Sequence, residues 1–463
     1  MSYKEPGVYL ELVNSRPNTV SPSSLIPVIL GVGPAFMDHL KVPVTASVGL
    51  VDALPSTKAT AVLGVYMTLT GAAIDATANY TFAAETGITW LAEAPVKPAT
   101  GAVYYVDYEA RPEAIQYQAA FIDTFDKLDT AYGAQLMKVA SKGVAATVNP
   151  VYLGAYLALE AGSPGVYCVQ VQPEDTTTYT VVSADYTTTL ADVVSFIESA
   201  YQIVPMSQDS EVISAVISHV GASSTVEERK ERCTFISKKL TAVTTNGVVT
   251  DAMASEVIAY TSALANKRVL SIFVPSTVTK TLSDGNIHLL EGNYFCAALA
   301  GLDSVIATER SLTRQKVLNF LEVKDNKMTR AVKNQIAAAG VIVLDQVGGA
   351  GSAISIRHGV TTKMDNVADR EYSVVKIADY VAKFLRNNLE GYIGIFNIDD
   401  FFVTKVKGTL TAAFHALTVD HKINGNKTIL VAQDADNPDT LLIVVSINPP
   451  YPCNYIDITL VIE

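Results

Sequence analysis

Ile456-Asp-Ile-Thr-Leu-Val-Ile-Glu463 closes the chain in an alternating pattern, with Ile456, Ile458, Leu460 and Ile462 on one face. An apolar residue at every second position marks a β-strand. The opening has the same character: Pro6-Gly7-Val8-Tyr9-Leu10-Glu11-Leu12 is extended, with Val8, Leu10 and Leu12 in alternation. A strand at a free chain end presents a row of N–H and C=O groups that need partners. Either the ends complete the chain's own sheet, or they pair with a neighbouring copy, in which case the chain polymerises.

Working outward, a length of 463 residues predicts two or three domains, and an apolar content of 49% is enough for sizeable cores. No apolar run approaches the length of a membrane span, so none is expected. The opening MSYKEPGVYL lacks a charged-then-apolar signal region, so Sec export is not expected. Cys168, Cys233, Cys296 and Cys453 lie far apart and never form CxxC, which argues against disulfides and zinc and fits a reducing compartment. Asn79-Tyr-Thr81 and Asn426-Lys-Thr428 match the glycosylation pattern but carry no meaning without a secretory route. The net charge of -12 disfavours direct nucleic-acid binding. From Arg357 to Lys427, however, ten Lys/Arg face eight Asp/Glu, a net +2 that leaves -14 on the rest. A locally basic segment on an acidic protein points to one face meeting an acidic surface, against the plainer reading of scattered solvated charge.

Residues 1 to about 22 read as an extended arm, kept from helix by Pro6, Pro17 and Pro22, followed by the short buried strand Leu25–Leu30. Residues 51 to 112 are rich in Thr, Ala and Tyr, and the short runs Tyr80–Phe82, Gly87–Trp90 and Ala102–Val106 predict a small inserted β-domain. From Pro112 the pattern becomes α/β. Helices are predicted at 114–132, 190–201, 209–220, 226–240 and 289–302, and apolar strands at 166–171, 203–206, 271–274 and 341–344. Such alternation indicates a mostly parallel or mixed sheet covered on both faces. Ala353–Arg357 is a further strand. A helix over 369–389 places Val374, Ala378, Val381, Leu385 and Leu389 on its apolar stripe and Lys376, Lys383, Arg386 and Glu390 opposite. A second helix over 399–417 buries Phe402, Val406, Leu410, Ala413, Phe414 and Leu417. The runs 428–431 and 441–445 form a hairpin around Asp434–Asp439, and Asn448-Pro-Pro450 breaks the chain before its terminal strand.

No catalytic constellation survives inspection. Gly31-Val-Gly33 follows a strand, but Pro34 comes next and Phe36 stands where a dinucleotide fingerprint needs its third glycine. Gly348-Gly-Ala-Gly351 precedes a strand, so no helix N-terminus is available for phosphate, and a turn is the better reading. The six histidines make no metal spacing. Asp434, Asp436, Asn437 and Asp439 superficially resemble a calcium loop, but Pro438 and Asp439 break the ligand pattern and a hairpin turn fits better. GxSxG is absent. On the residues alone this is a soluble, multidomain assembly protein with no cofactor.

The chain resembles contractile tail sheath proteins of bacteriophages and related injection machines. The likeness is dispersed but ordered along nearly the whole length. Pro6–Glu11 looks like the family's PGVYxxE opening. Tyr201-Gln-Ile-Val-Pro205 and Glu227–Arg232 fall where the middle domain has its VP element and ERR-like run. Tyr294–Gly301 looks like the segment ending in AAxxAG, and Arg357-His-Gly-Val-Thr-Thr362 like the RGVTT strand, with His358 as an extra residue. Asn448-Pro-Pro450 with Tyr455–Ile462 looks like the closing proline-then-strand element.

The resemblance implies a structural subunit, not an enzyme, that polymerises as stacked six-fold rings around a tail tube. Its terminal arms would add strands to a C-terminal-domain sheet of neighbours, and its contraction would drive the tube through the host envelope during genome delivery. The fold class expected is α/β multidomain: an extended N-terminal arm over 1–22, an α/β middle domain over 23–50 and 113–350, a peripheral inserted β-domain over 51–112, and an α+β C-terminal domain over 351–463 with a terminal strand over 454–463. The inter-subunit strands would use Pro6, Gly7, Val8, Tyr9 and Leu10 at one end and Tyr455, Ile456, Ile458, Leu460 and Ile462 at the other. Lys376, Lys383, Arg386, Lys405 and Lys407 are the tube-facing candidates. Partners would be further copies of the chain, the tail tube protein, and baseplate and tail terminator proteins, with no nucleic acid and no membrane. The place expected is the virion tail, assembled in the host cytoplasm. Two other classes compete: a non-contractile surface or tube protein, and an α/β enzyme with a dispersed site.

Overall fold

Short apolar runs separated by helices build a nine-stranded sheet in the computed structural model, which describes residues 25–84, 86–139, 144–175, 179–456 and 458–460. Two compact units divide these residues: a larger one of 25–307, 311–372 and 454–460, and a smaller one of 308–310 and 373–453. The expected N-terminal arm lies outside the described residues.

In the larger unit the sheet runs Lys316–Val317, Ile354–Ile356, Val341–Gln346, Val269–Phe273, Cys233–Ile236, Ala200–Pro205, Ile26–Gly31, Val166–Gln170 and Ala120–Ile122. Its six central strands are parallel, and the outer strands at both ends are antiparallel. Burial on both faces explains why these strands read as continuous apolar runs. Val28 and Leu30 pack with Tyr186, Leu190, Val212, Val216 and Val220 from the helices Ser183–Asp192 and Ser210–Ser223. On the other side of that strand, Ile29 meets the helix Pro150–Glu160. This helix and the helix Gly292–Val305 are buried almost throughout, and a Cβ added to Gly301 would lie 2.2 Å from the Ala158 carbonyl oxygen. The glycine that ends the segment Tyr294–Gly301 is therefore a point of close helix–helix approach.

Several elements differ from expectation. Over 114–132 the chain forms a 3₁₀ turn, the strand Ala120–Ile122 and then the helix Phe125–Tyr132, because the strand finds an antiparallel partner in Val166–Cys168. Over 190–201 the helix ends at Asp192 and the strand Ala200–Pro205 begins. Within 226–240, Cys233–Ile236 is an entirely buried sheet strand. In each case pairing with a neighbour overrides local composition. Helices Pro150–Glu160, Asp251–Leu264 and Arg330–Ala338 complete the layers.

The β-insert begins earlier than residue 51. Met37–Thr45 pairs antiparallel with Val103–Ala110, which also pairs with Ala59–Tyr66. Beside that sheet, Val51–Asp52, Gly87–Trp90 and Tyr80–Ala83 form a second. The buried Asp52 carboxylate accepts hydrogen bonds from Trp90 Nε1 at 2.8 Å, Tyr104 Oη at 2.9 Å and the Ser47 amide at 2.6 Å. Trp90 is thus core of the insert. At the other boundary, Ile354–Ile356 pairs with Leu344–Gln346 across the Gly348–Gly351 turn, so residues 351–372 belong with the nine-stranded sheet.

The smaller unit packs the helices Tyr372–Leu389 and Asp400–Val419 and the hairpin Asn426–Gln433/Leu441–Ile447 around one core. Asp399 caps the second helix by accepting the Phe402 amide at 2.7 Å. Phe402, Val406, Leu410, Ala413, Phe414 and Leu417 face inward as the spacing predicts. On the first helix the inward stripe is Ile377, Val381 and Phe384, with Leu385 and Leu389 partly buried, while Ala378 is exposed. The stripe is rotated from the expected one because this face buries the larger side chains.

Candidate assembly surfaces

The hairpin follows from two β-branched runs, Thr428-Ile-Leu-Val431 and Leu441-Leu-Ile-Val-Val445, joined by a polar turn. The Asp434 carboxylate accepts from the Asp436 amide at 3.0 Å and Asn437 Nδ2 at 3.3 Å, and the backbone bond from Asp436 leads the contacts that hold its pKa low. These acids serve the turn. Among the described residues no group of three or more His, Cys, Asp or Glu is placed to hold a metal ion.

Ile429, Val431, Leu441, Ile443, Val445 and Ile447 pack on the two helices. Leu430 lies opposite Val444, and Ala432 opposite Leu442, on the outward face, where Leu430, Leu442 and Val444 are 55%, 47% and 57% exposed. Among the described residues the two strands pair only with each other. A strand that is apolar on both faces suits a sheet covered on both sides. Among the described residues, then, both edges of this hairpin are unpaired and its outer face is partly exposed.

The terminal segment carries the other strand pattern expected from the sequence. Over 451–456 and 458–460 no strand is formed among the described residues, and Tyr455, Ile456, Ile458 and Leu460 are 75%, 78%, 86% and 81% exposed. Ile462, like Pro6, Gly7, Val8, Tyr9 and Leu10, lies outside the described residues.

The five cationic candidates do not behave alike. Lys376 is fully buried within a helix start whose residues 371–377 are all buried, so it cannot face a tube. Its charge instead acts on Glu309: burial opposes ionisation there, but the Lys422 hydrogen bond at 2.6 Å and the charges of Lys422 and Lys376 hold the carboxyl below its usual range. Two buried turns at a helix start hide every face, so the periodicity that placed Lys376 outside misleads. Lys383 and Arg386 are half-buried, and Lys407 is exposed. Lys405 lies over the Phe396 ring at 3.9 Å. The connection between the two helices, which sequence reasoning passed over, exposes Ile393 and Ile395 beside Phe401 at the start of the second helix.

Where open α/β sheets bind ligands, at the carboxyl ends of strands flanking the reversal of strand order, this sheet is packed. The parallel strands run 2-1-3-4-5-6 by chain order, so the reversal lies between Ile26–Gly31 and Ala200–Pro205. There Met206 lies against Gly31 and Gly154 so closely that a Cβ on either would come within 2.7 Å of it. Gly33, the other glycine of the candidate phosphate loop, lies against the Gln170 side chain. A cleft of about 600 Å³, lined by Phe36, Met37, His39, Leu136 and Asn149 among others, opens beside the root of the insert. No described helix is long and apolar enough to cross a membrane.

No protein-family model matches the chain. Among curated proteins, it is 25% identical over 311 residues to the tail sheath protein of Mycobacterium phage Bxz1, an alignment covering 66% of this chain and 50% of that protein. The chain thus spans half the length of this relative. Among solved structures, the helical sheath of the anti-feeding prophage in its contracted state matches with a TM-score of 0.57 at 11% identity, covering 100% of both chains. The contracted sheath complex of an extracellular contractile injection system, PVC, matches with a TM-score of 0.53 at 13% identity, covering 76% of this chain and 89% of that one. The fold is that of contractile sheath proteins, and a phage tail sheath protein is related in sequence.

Proposed function

We propose that this chain is the structural subunit of a contractile tail sheath. It polymerises by lending terminal strands to neighbouring copies and uses no cofactor and no bond-making chemistry. The observation that carries the reading is the hairpin Asn426–Gln433/Leu441–Ile447, whose edges are open among the described residues and whose outer face is apolar, in a chain whose end exposes Ile456, Ile458 and Leu460. Strand addition satisfies both: main-chain bonds give affinity and alternate side chains give register. The sheath fold and the related phage tail sheath protein favour this over a non-contractile surface protein. The packed strand ends favour it over an enzyme.

The finer account belongs to the same proposal. Copies stack as six-fold rings around a tail tube, with baseplate and terminator proteins at the ends, assembled in the host cytoplasm and carried on the virion. The arms Pro6–Leu10 and Tyr455–Ile462 link subunits. Lys383, Arg386, Lys405 and Lys407 contribute to the tube contact, each exposed pair adding only about 0–1 kcal/mol, a weakness that suits a contact released on contraction. The insert, now residues 37–110, lies on the exterior. Electron microscopy of the purified protein tests the reading: striated helical sleeves support it, whereas smooth sheets, or monomers at every concentration, refute it.

A further inference from the structure

The extra residue of Arg357-His-Gly-Val-Thr-Thr362 has a partner. His358 Nε2 lies 3.0 and 3.3 Å from the two carboxylate oxygens of Glu371. Glu371 is 1% exposed, and Arg370 Nε reaches the same carboxylate at 3.3 Å. A third side chain, that of Asn454, comes close enough to the Glu371 carboxylate to favour its ionised form. Next to it, Tyr455 meets the His358 ring edge-on, with centroids 6.4 Å apart and planes at 87°. The Asn454 amide can only donate to a carboxylate, so its Oδ1 points elsewhere, where it is buried without a hydrogen-bond partner. Its flanking residues Cys453 and Tyr455 are exposed while Asn454 turns inward. Asn454 and the residues after it therefore belong with the larger unit, and Ile456, Ile458 and Leu460 beyond it are exposed.

We propose that Glu371 and His358 form a seat for the root of the C-terminal arm, and act as positioning residues for its pairing with another copy. A buried carboxylate is costly unless its oxygens are occupied. The seat provides the occupants, an imidazole, a guanidinium and the Asn454 amide, and so draws the root into one place. An arm hinged at a fixed point loses less freedom on capture than one swinging from Asn448. The arm's role in exchange rests on the function proposed above; the seat itself is a property of the single subunit.

Cys453 gives the means to test it, since the other three cysteines are buried. A nitroxide on Cys453 of the full-length, unassembled protein should give a slow-motion spectrum. Asn454→Ala, which cannot disturb a core, and Glu371→Gln should each shorten the label's correlation time several-fold, with His358→Ala between them and wild type. The same variants should slow sleeve formation about tenfold while Asn454→Ala still unfolds in one cooperative transition. Equal label mobility in wild type and Asn454→Ala overturns the seat. Released roots with unchanged assembly rates overturn the positioning role. Absence of sleeves from wild type as well contradicts the sheath reading, and the spectrum still decides whether the seat exists.

Discussion

Ile458→Ser isolates the contribution of the C-terminal arm. In the single subunit Ile458 is 86% exposed, so the substitution removes no folded contact and the unfolding transition should not move. In the proposed lattice the same side chain is buried beside the neighbour's hairpin. Burying an isoleucine contributes about 1.5–3 kcal/mol. At about 1.4 kcal/mol per factor of ten, its loss weakens subunit association roughly ten- to hundredfold. Each added subunit contributes one such arm, so the critical concentration for sleeve growth should rise by that factor. Light scattering against protein concentration, with pelleting of sleeves, reads it directly. As a control for general stickiness, Val226→Ser replaces a side chain of equal exposure, 86%, on the larger unit and should leave the threshold in place. A threshold for Ile458→Ser within twofold of wild type would refute the argument that this arm is buried on assembly.

Other consequences concern the fold and its charges. Gly301→Ala drives a methyl into the Ala158 backbone and should lower stability by about 1–3 kcal/mol or more, seen as a reduced denaturant midpoint. Asp52→Ala leaves Trp90 Nε1 and Tyr104 Oη buried without their acceptor, at about 1–3 kcal/mol each, and should be read by Trp90 fluorescence, since this is the only tryptophan. For Glu371, burial works against the charge, but hydrogen bonds from His358 and Asn454 and the His358 and Arg370 charges hold its pKa below the ordinary 4.5. A depressed carboxyl stabilises the fold above its unfolded pKa and loses that contribution as pH falls through the folded one. The stability gap between wild type and Glu371→Gln should thus be full at pH 7 and close below about pH 4.5; a gap independent of pH would contradict the ionised assignment. Charge reversal at Lys383, Arg386, Lys405 and Lys407 should abolish assembly on the tail tube at low and moderate salt with the subunit still folded; normal extended sheaths would exclude these residues.

Much of the architecture was legible because burial on two faces writes itself into composition. The runs at 166–171, 271–274 and 341–344 are too apolar for anything but covered strands, and the two long helices and hairpin of the smaller unit follow from spacing alone. What misled was local composition where a distant strand decides the outcome. Cys233-Thr-Phe-Ile236 reads as the middle of a helix until Gln202 and Ile203 on one side and Val269–Ser271 on the other supply partners. Met37–Thr45 looks like part of the middle domain until it pairs with Val103–Ala110. Lys376 was misplaced because helical periodicity assumes one solvent-facing side. The apolar outer face of the hairpin did carry a signal in Leu441-Leu-Ile-Val-Val445, which shows no alternation, as a strand covered on both sides should not. The seat at Glu371 carried none, since it joins residues more than eighty positions apart in the sequence.

The central claim is that the hairpin is completed by strands from other copies. A helical reconstruction of the assembled protein by cryo-electron microscopy tests it most directly. The account predicts that Asn426–Gln433 and Leu441–Ile447 become inner strands of a larger sheet, with an edge strand formed by Tyr455–Ile462 of another subunit and Leu430, Leu442 and Val444 buried. A hairpin that stays two-stranded in the assembled lattice, with its edges and outer face in solvent, would contradict it.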